Sequence, residues 1–441
     1  MHIVLISPKG PLYRHKGGIF KKSLRYKPLT LTTLAALIPQ DIQADVTIYD
    51  EGIETLPNDL HADLIGITLI TGNAPRSYEL ADGFRKRGIP VVLGGPHVTL
   101  LPQEARAHAD AICVGYAEQS WPRLLKDFQN GCLKPLYEQG ADFRLDADMP
   151  FARRELLPDK AYTSSAVFEA TRSCVHNCEF CVAPSAWGRK QYQKPVSWVV
   201  EDIRRVGAKH NLFVDLNLVS DKAYATELFN ALIPLNIRWY GLSTVIIAHD
   251  PELMELMARS GCRGLLLGLE SLSRESLADT RKSFNAKVDY RKFIADLHQL
   301  GISIQGCFVF GLDSDTKHVF KDTAEFAIEC GVDLPRFALL TPFPSTPLYT
   351  RLDAEGRILT RNWELYDAQH VVFQPKNMSV KELNDGHEYA WKTVYKYSAI
   401  ARRMKNARKF SPLLVAANLG YRFYANRLKH FYNCDWDIPE K

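Results

Sequence analysis

No stretch of the sequence approaches the roughly 18 uninterrupted apolar residues that a membrane span needs. The opening "MHIVLISPKGPLY" has a short apolar run followed by a Pro/Gly turn, which reads as a first β-strand rather than a signal peptide. Both features lead us to expect a cytoplasmic protein. Cysteine is scarce: nine in 441 residues, an odd number thinly spread, which excludes the dense disulfide framework of a small secreted domain. Acid is missing from one region altogether. From residue 389 to residue 433 there are ten Lys/Arg and no Asp or Glu, so the net charge of +5 belongs to the tail and the rest of the chain is slightly acidic. What is present is a soluble globular balance, 46% apolar and 24% charged, in a chain long enough for two or three domains.

The order of elements is that of an α/β protein. "HIVLISP", "ADVTIYD", "ADLIGITLIT", "IPVVLGGP" and "DAICVG" read as strands, and helix-like segments such as "PLTLTTLAALIP" and "APRSYELADGFRKRG" alternate with them. This predicts a Rossmann-like parallel sheet over residues 1–136, covered on both faces, with ligands at the strands' carboxyl ends. Residues 137–164 are poor in apolar residues and read as a linker. From 165 to 348 the alternation resumes with six strands and five helices, which predicts a partial (β/α)6 TIM-like barrel. Residues 349–441 lose the strand pattern, and a helical C-terminal region follows, with a break expected at Pro412.

Six cysteines (Cys113, Cys132, Cys262, Cys307, Cys330 and Cys434) stand alone, most of them in apolar runs, and read as small hydrophobes. The other three, Cys174, Cys178 and Cys181, lie within eight residues, in "TRSCVHNCEFCVAP". Structural zinc takes four protein ligands, and no second pair follows; His176 lies inside an already crowded loop. A 4Fe–4S cluster wants one external ligand per iron. Three thiolates leave one iron open for a substrate or cofactor.

C-x3-C-x2-C after the first strand of a βα repeat, with Phe180 before the last cysteine, resembles the radical S-adenosylmethionine superfamily. The resemblance implies that Cys174, Cys178 and Cys181 hold a 4Fe–4S cluster. The open iron then chelates S-adenosylmethionine, and a 5′-deoxyadenosyl radical is made from it. It also implies cofactor contacts at Asp215 and Asn217 after the second strand, at Gly268, Glu270 and Ser271 of "GLES", and at Gly306 and Gly311 of "GCFVFGL". "TPFPSTPLY" is similar to the family's sixth strand and following loop. A surface role for Glu270 and a zinc or redox site for the cysteines are the rival readings.

The combination resembles the subgroup that carries an N-terminal cobalamin-binding domain. Thr68, Gly94, Gly95, His97 and Thr99 are the implied corrin contacts, and Gly94–Gly95 would let backbone approach a large ligand. "YRHKGG" places His15 and Gly18 as in a cobalt-ligating D-x-H-x-x-G, but Tyr13 replaces the Asp that would anchor the imidazole; an exposed loop histidine is the stronger reading. Only Cys113 and Cys132 precede the linker, which argues against the methylthiotransferases with a second cluster. The resemblance therefore implies cobalamin-dependent methylation of an unactivated carbon, with a low-potential electron donor such as flavodoxin or ferredoxin. Oxidative cyclisation, ring contraction or hydroxylation of a lipid or tetrapyrrole is the alternative outcome. The expected substrate is a small molecule, with a lipid or isoprenoid among the candidates. The basic tail reads first as helices with a solvated face. A contact with the inner membrane face is the second reading of the tail. A nucleic-acid-binding module stabilised by zinc or a cluster is the reading from another class, and no nucleic-acid motif accompanies it. Trp363 and Tyr366 read as core aromatics or as a wall of the substrate side.

Overall fold

The computed structural model describes residues 1–10, 23–405 and 412–428. By contact the chain forms two units. The first is Met1–Phe168 with Val182–Pro195 and Asn362–Asp367; the second is Glu169–Cys181, Val196–Arg361 and Ala368–Lys441.

The strands of the first unit are β1 His2–Ser7, β2 Ser23–Tyr26, β3 Asp45–Asp50, β4 Leu64–Thr68, β5 Val91–Gly94, β6 Ala111–Val114, β7 Leu136–Glu138, β8 Tyr162–Ser164 and β9 Val167–Phe168. Six of them form a parallel sheet in the order β3-β1-β4-β5-β6-β7. Side chains alternate across it. Ile3 and Leu5 enter one core with Leu31, Trp121 and Leu124. Val4 and Ile6 enter the other with Ile65, Tyr78 and Phe84. Two buried faces are what an all-parallel sheet requires. The order reverses at β1, which pairs with β3 on one side and β4 on the other, so the ligand crevice of such a sheet opens at the carboxyl ends of β1 and β4. Residues 137–164 add Phe143, Leu145, Leu157 and Tyr162 to the buried interior. Lys27, buried, donates to the carbonyls of Arg154 and Leu157, both at 2.9 Å.

Where one continuous strand was expected before the cysteines, the chain is broken at Glu169–Ala170. β10, Thr171–Arg172, opens the second unit, and β11, Tyr192–Gln193, lies in the returning segment of the first. The second unit then runs β12 His210–Phe213, β13 Arg238–Ser243, β14 Cys262–Glu270, β15 Ser303–Phe310 and β16 Arg336–Leu339, parallel and adjacent in chain order. One-way winding with right-handed crossovers puts the intervening helices on a single face and curls the sheet. Phe213, Trp239, Leu265, Leu267, Phe308 and Phe337 are buried. Helices Val380–Val394, Tyr397–Lys405 and Pro412–Ala425 close the unit, and Pro412, expected as a break, is the first residue of the last. Trp391 Nε1 donates to Phe337 O at 3.1 Å and Tyr395 Oη to Pro335 O at 2.8 Å, which ties the first of these helices to β16 and the residue before it. Among the described residues no helix is long and apolar enough to cross a membrane.

Candidate functional site

The cysteine loop follows β10. Ser173 turns the chain with a left-handed backbone, φ 65°. Cys178 is buried, and Cys174 and Cys181 are half-buried. Burial pushes the Cys178 thiol up to about 11.

Three restraints hold the loop. The first is Asp215, two residues beyond β12 and buried. Its carboxylate accepts from Ala170 N at 3.1 and 3.2 Å, from Thr171 Oγ1 at 2.8 Å and from Thr171 N. The chain is thereby fixed three residues ahead of Cys174. Burial, and then the nearby Glu169, push the Asp215 carboxyl up to about 7. The second restraint is Glu179, between Cys178 and Phe180. Its N–H donates to Thr280 O at 3.1 Å and its carbonyl accepts from Leu348 N at 3.2 Å. Its carboxylate takes Arg351 Nε at 2.9 Å, and Arg351 also donates to Asp313 at 2.7 Å, which Arg357 reaches at 2.7 Å. Arg351 stands one turn into helix Pro347–Ala354. That helix starts where it does because Thr346 Oγ1 caps Tyr349 N at 3.2 Å and Pro347 takes the first helical position. The third restraint is the segment 280–285. Its Phe284 stacks on His176 at 4.4 Å, and Lys282 lies 6.0 Å from the centre of the Phe284 ring.

Lys282 and Glu270 form a buried ion pair. Although burial alone would push the Lys282 ammonium down, Glu270 and then Cys178 hold it above its usual range. Glu270 ends β14 with φ 64°. A Cβ on Gly268 would collide with the Glu270 carboxylate and stand 2.8 Å from Lys282 Nζ, so a side chain there would displace the charged ends of the pair. Ser271 Oγ accepts from Ser273 N at 3.1 Å. Asn217 is buried, and its carbonyl accepts from Ser220 Oγ at 3.2 Å. A Cβ on Gly306 would meet Val332 Cγ1 at 2.9 Å, and one on Gly311 would meet Leu383 Cδ2 at 2.9 Å. Phe180 is half-buried.

Among the described residues, no three His, Cys, Asp or Glu side chains converge to hold a single metal ion. A four-iron cluster asks for something else: one thiolate for each of three irons. Three sulfur donors on a loop restrained ahead of Cys174 and again at Glu179 fit that group.

In the first unit, Thr68 and Gly94 are register partners at the carboxyl ends of β4 and β5. Gly95 has φ +110°, and a Cβ there would lie 2.6 Å from Leu69 O, so the two strand ends approach only because it is glycine. Thr99 Oγ1 donates to Gly95 O at 3.1 Å and accepts from Gly115 N at 3.0 Å. His97 is fully enclosed, with Nδ1 3.2 Å from Thr71 Oγ1 and Nε2 3.1 Å from Glu104. Glu104 also accepts from Tyr78 Oη at 3.0 Å and from Trp363 Nε1 at 3.1 Å. Burial alone would push the Glu104 carboxyl up; the bonds from His97, Trp363 and Tyr78 hold it below its usual range. Trp363 meets Tyr366 edge-on at 4.9 Å. Tyr13, His15 and Gly18 lie outside the described residues.

The sequence reading passed over Glu179, Arg351, Asp313, Lys282 and Glu104. Only Glu179 had a local signal, an acid inside the cysteine motif.

Residues 23–125 match the B12 binding domain, 168–327 the Radical SAM superfamily, and 346–438 a domain of unknown function, DUF4070. The chain is 31% identical to bacteriochlorophyllide d C-12(1)-methyltransferase of Chlorobaculum tepidum, over 86% of this chain and 84% of that one. It is 32% identical to the bacteriochlorophyllide d C-8(2)-methyltransferase of the same organism, over 88% and 91%. Among solved structures, the radical S-adenosylmethionine methyltransferase TsrM of Kitasatospora setae, with cobalamin and a [4Fe–4S] cluster bound, covers 98% of both chains at a TM-score of 0.69 and 14% identity. That likeness establishes a shared fold.

Proposed function

The chain belongs to the radical S-adenosylmethionine methyltransferases that carry a B12-binding domain, and from that premise we propose that it methylates a carbon of a tetrapyrrole-like small molecule. The observation that carries the substrate class is the likeness, over most of both chains, to two enzymes named for bacteriochlorophyllide d. The second unit suits an apolar ring system. Val175, Leu216, Ile246 and Leu272 are exposed, each two or three residues past the carboxyl end of β10, β12, β13 or β14. Exposed large apolar side chains repeated past the carboxyl ends of β12, β13 and β14, with Val175 past β10, are what a greasy ligand would cover.

Cys174, Cys178 and Cys181 would hold the 4Fe–4S cluster, and when bound the cluster and cobalamin supply the one-electron chemistry and the methyl carrier. This chain's own residues do the positioning. Asp215 and the Glu179–Arg351 pair hold the thiols in place. Asn217, Gly268, Glu270 and Ser271 stand at the strand ends where S-adenosylmethionine would lie, and Gly306, buried inside β15 against Val332, supports them from within the sheet. Thr68 and Gly94, partly exposed beside the β1/β4 crevice, are the proposed corrin contacts, with Gly95, His97 and Thr99 shaping the edge. Reduction requires a low-potential one-electron donor of the flavodoxin or ferredoxin class. A lipid substrate and a membrane contact through the tail gain no support here. Arg403 is buried and donates to Val332 O and Asp333 O, and Arg422 covers the Tyr397 ring at 3.8 Å.

The test is anaerobic reconstitution with iron, sulfide and hydroxocobalamin, then turnover with S-adenosylmethionine, reductant and bacteriochlorophyllide d. Expected are bound corrin, reductant-dependent 5′-deoxyadenosine and a product heavier by one methylene. Corrin bound and S-adenosylmethionine cleaved, with bacteriochlorophyllide and related tetrapyrroles returned unchanged, would overturn the substrate class.

A further inference from the structure

The two faces of the second sheet differ. On one, Trp239, Leu267, Phe308 and Phe337 are buried. On the other, Tyr240, Leu242, Leu266, Gln305, Cys307 and Arg336 are only partly buried. The register groups this second set: Leu242 pairs with Leu266, Leu266 with Gln305, and Cys307 with Arg336. Paired residues share a face. The interior of a closed barrel is filled by layers of side chains, so a face that stays partly open along β13 to β16 leaves room for a ligand. Its composition is uneven. Leu242 and Leu266 make an apolar row, and beside them the polar groups gather. Gln305 Nε2 donates to Tyr421 Oη at 3.0 Å. The Tyr421 ring stacks on Tyr395 at 5.5 Å, and Tyr395 Oη donates to Pro335 O at 2.8 Å, one residue before Arg336. Helix Pro412–Ala425 thus brings a phenol from 116 positions away to the open face, next to the strand that bears Arg336. Because Tyr421 Oη accepts from Gln305, it keeps its own proton to donate. None of the six residues on this face is acidic.

We propose that Arg336, with the hydroxyl of Tyr421, binds a carboxylate carried on the ring of the tetrapyrrole-like substrate, and that Leu242 and Leu266 lie against the ring itself. A guanidinium is always charged and presents a planar fork of donors that matches a carboxylate. Arg336 is the first residue of β16 and Leu339 the last. Three residues of strand span roughly 10 Å, so a carboxylate held at Arg336 leaves the body of the ring toward the strands' carboxyl ends, where the cofactors would act. Anchoring one edge of a rigid ring decides which of its carbons is presented there. The inference rests on the substrate class proposed above.

The experiment titrates the reconstituted full chain with bacteriochlorophyllide d, as the free acid and as its carboxyl methyl ester, and follows quenching of the pigment's fluorescence. The wild type should bind the acid about tenfold more tightly than the ester. Arg336→Met should weaken the acid until the two forms agree within about twofold, while the ester stays within about twofold of its wild-type affinity. Arg336→Lys should retain part of the preference. Tyr421→Phe keeps the ring on Tyr395 and should weaken the acid about threefold, leaving the ester unchanged. Equal binding of acid and ester by the wild type, or a preference that survives Arg336→Met, overturns the inference. If Arg336→Met does not fold, the wild-type ratio and Tyr421→Phe decide it. A wild-type chain that binds neither form refutes the substrate class, and the anchor with it; one that binds and methylates both forms equally refutes the anchor alone.

Discussion

Asp215 takes donors from two consecutive residues through one carboxylate, three positions before the first cysteine. Asp215→Asn turns one acceptor into a donor facing N–H groups. We expect a loss of about 1–3 kcal/mol in urea unfolding and less iron per chain after reconstitution. The pH dependence has a definite sign. The folded-state value, about 7, lies above the ordinary 3.8, so between the two the folded chain holds more protons than the unfolded one. Asp215 therefore makes stability fall as pH rises from about 4 to 7. The difference in melting temperature between wild type and Asp215→Asn should shrink across that window as pH rises; a difference that grows refutes the assignment. Arg351→Met strips the charged partner from buried Glu179. Because Arg351 is itself about a third exposed, we expect about 1–2 kcal/mol rather than the full cost of a buried pair, together with weaker iron retention. The three cysteines stand out in the sequence because their spacing falls within a few residues. The Glu179–Arg351 bond spans 172 positions, and no local pattern encodes it. Nor did Asp215 announce that it would face the backbone of Ala170 and Thr171, just ahead of the cysteines.

Among the elements, the turn after β5 is the most exacting. Gly95→Ala would put a Cβ 2.6 Å from Leu69 O at a φ of +110°. The backbone alone costs about 1–3 kcal/mol, and the clash adds to it. Thermal melting of the full chain should fall by several degrees, with reduced corrin uptake measured by its visible spectrum. Unchanged melting would show that this turn relaxes freely. The strands were legible from runs such as "HIVLIS" and "LIGIT", whose alternation delivers side chains to two cores. The edge strand at Leu136–Glu138 and the pairing of β2 with β8 fall where composition suggested a linker. Short strands on a sheet edge need few apolar residues, so their signal is weak. Cys132, read as a buried hydrophobe, is exposed just past helix Ser120–Gln129, where the helix end rather than an apolar run sets its surroundings.

At the scale of the molecule, losses from substitutions that share no partner should add rather than compound. Cys178→Ala should abolish iron binding and 5′-deoxyadenosine formation, while hydroxocobalamin binding stays within about twofold of wild type. Loss of corrin together with iron would contradict independent loading. The order of the two folds was readable from the alternation of strands and helices. The path of the chain was not, because Asn362–Asp367 returns to the first unit after the whole barrel has been traversed. That return sets an order of events during synthesis. Trp363 is one of the three donors that satisfy Glu104, and it is made more than 250 residues after that carboxylate. On the ribosome, the amino-terminal sheet emerges with Glu104 short of a donor and waits for most of the message to be read. A chaperone that engages the nascent chain in that interval would find this face still open, and a premature stop before codon 363 would leave it unfinished.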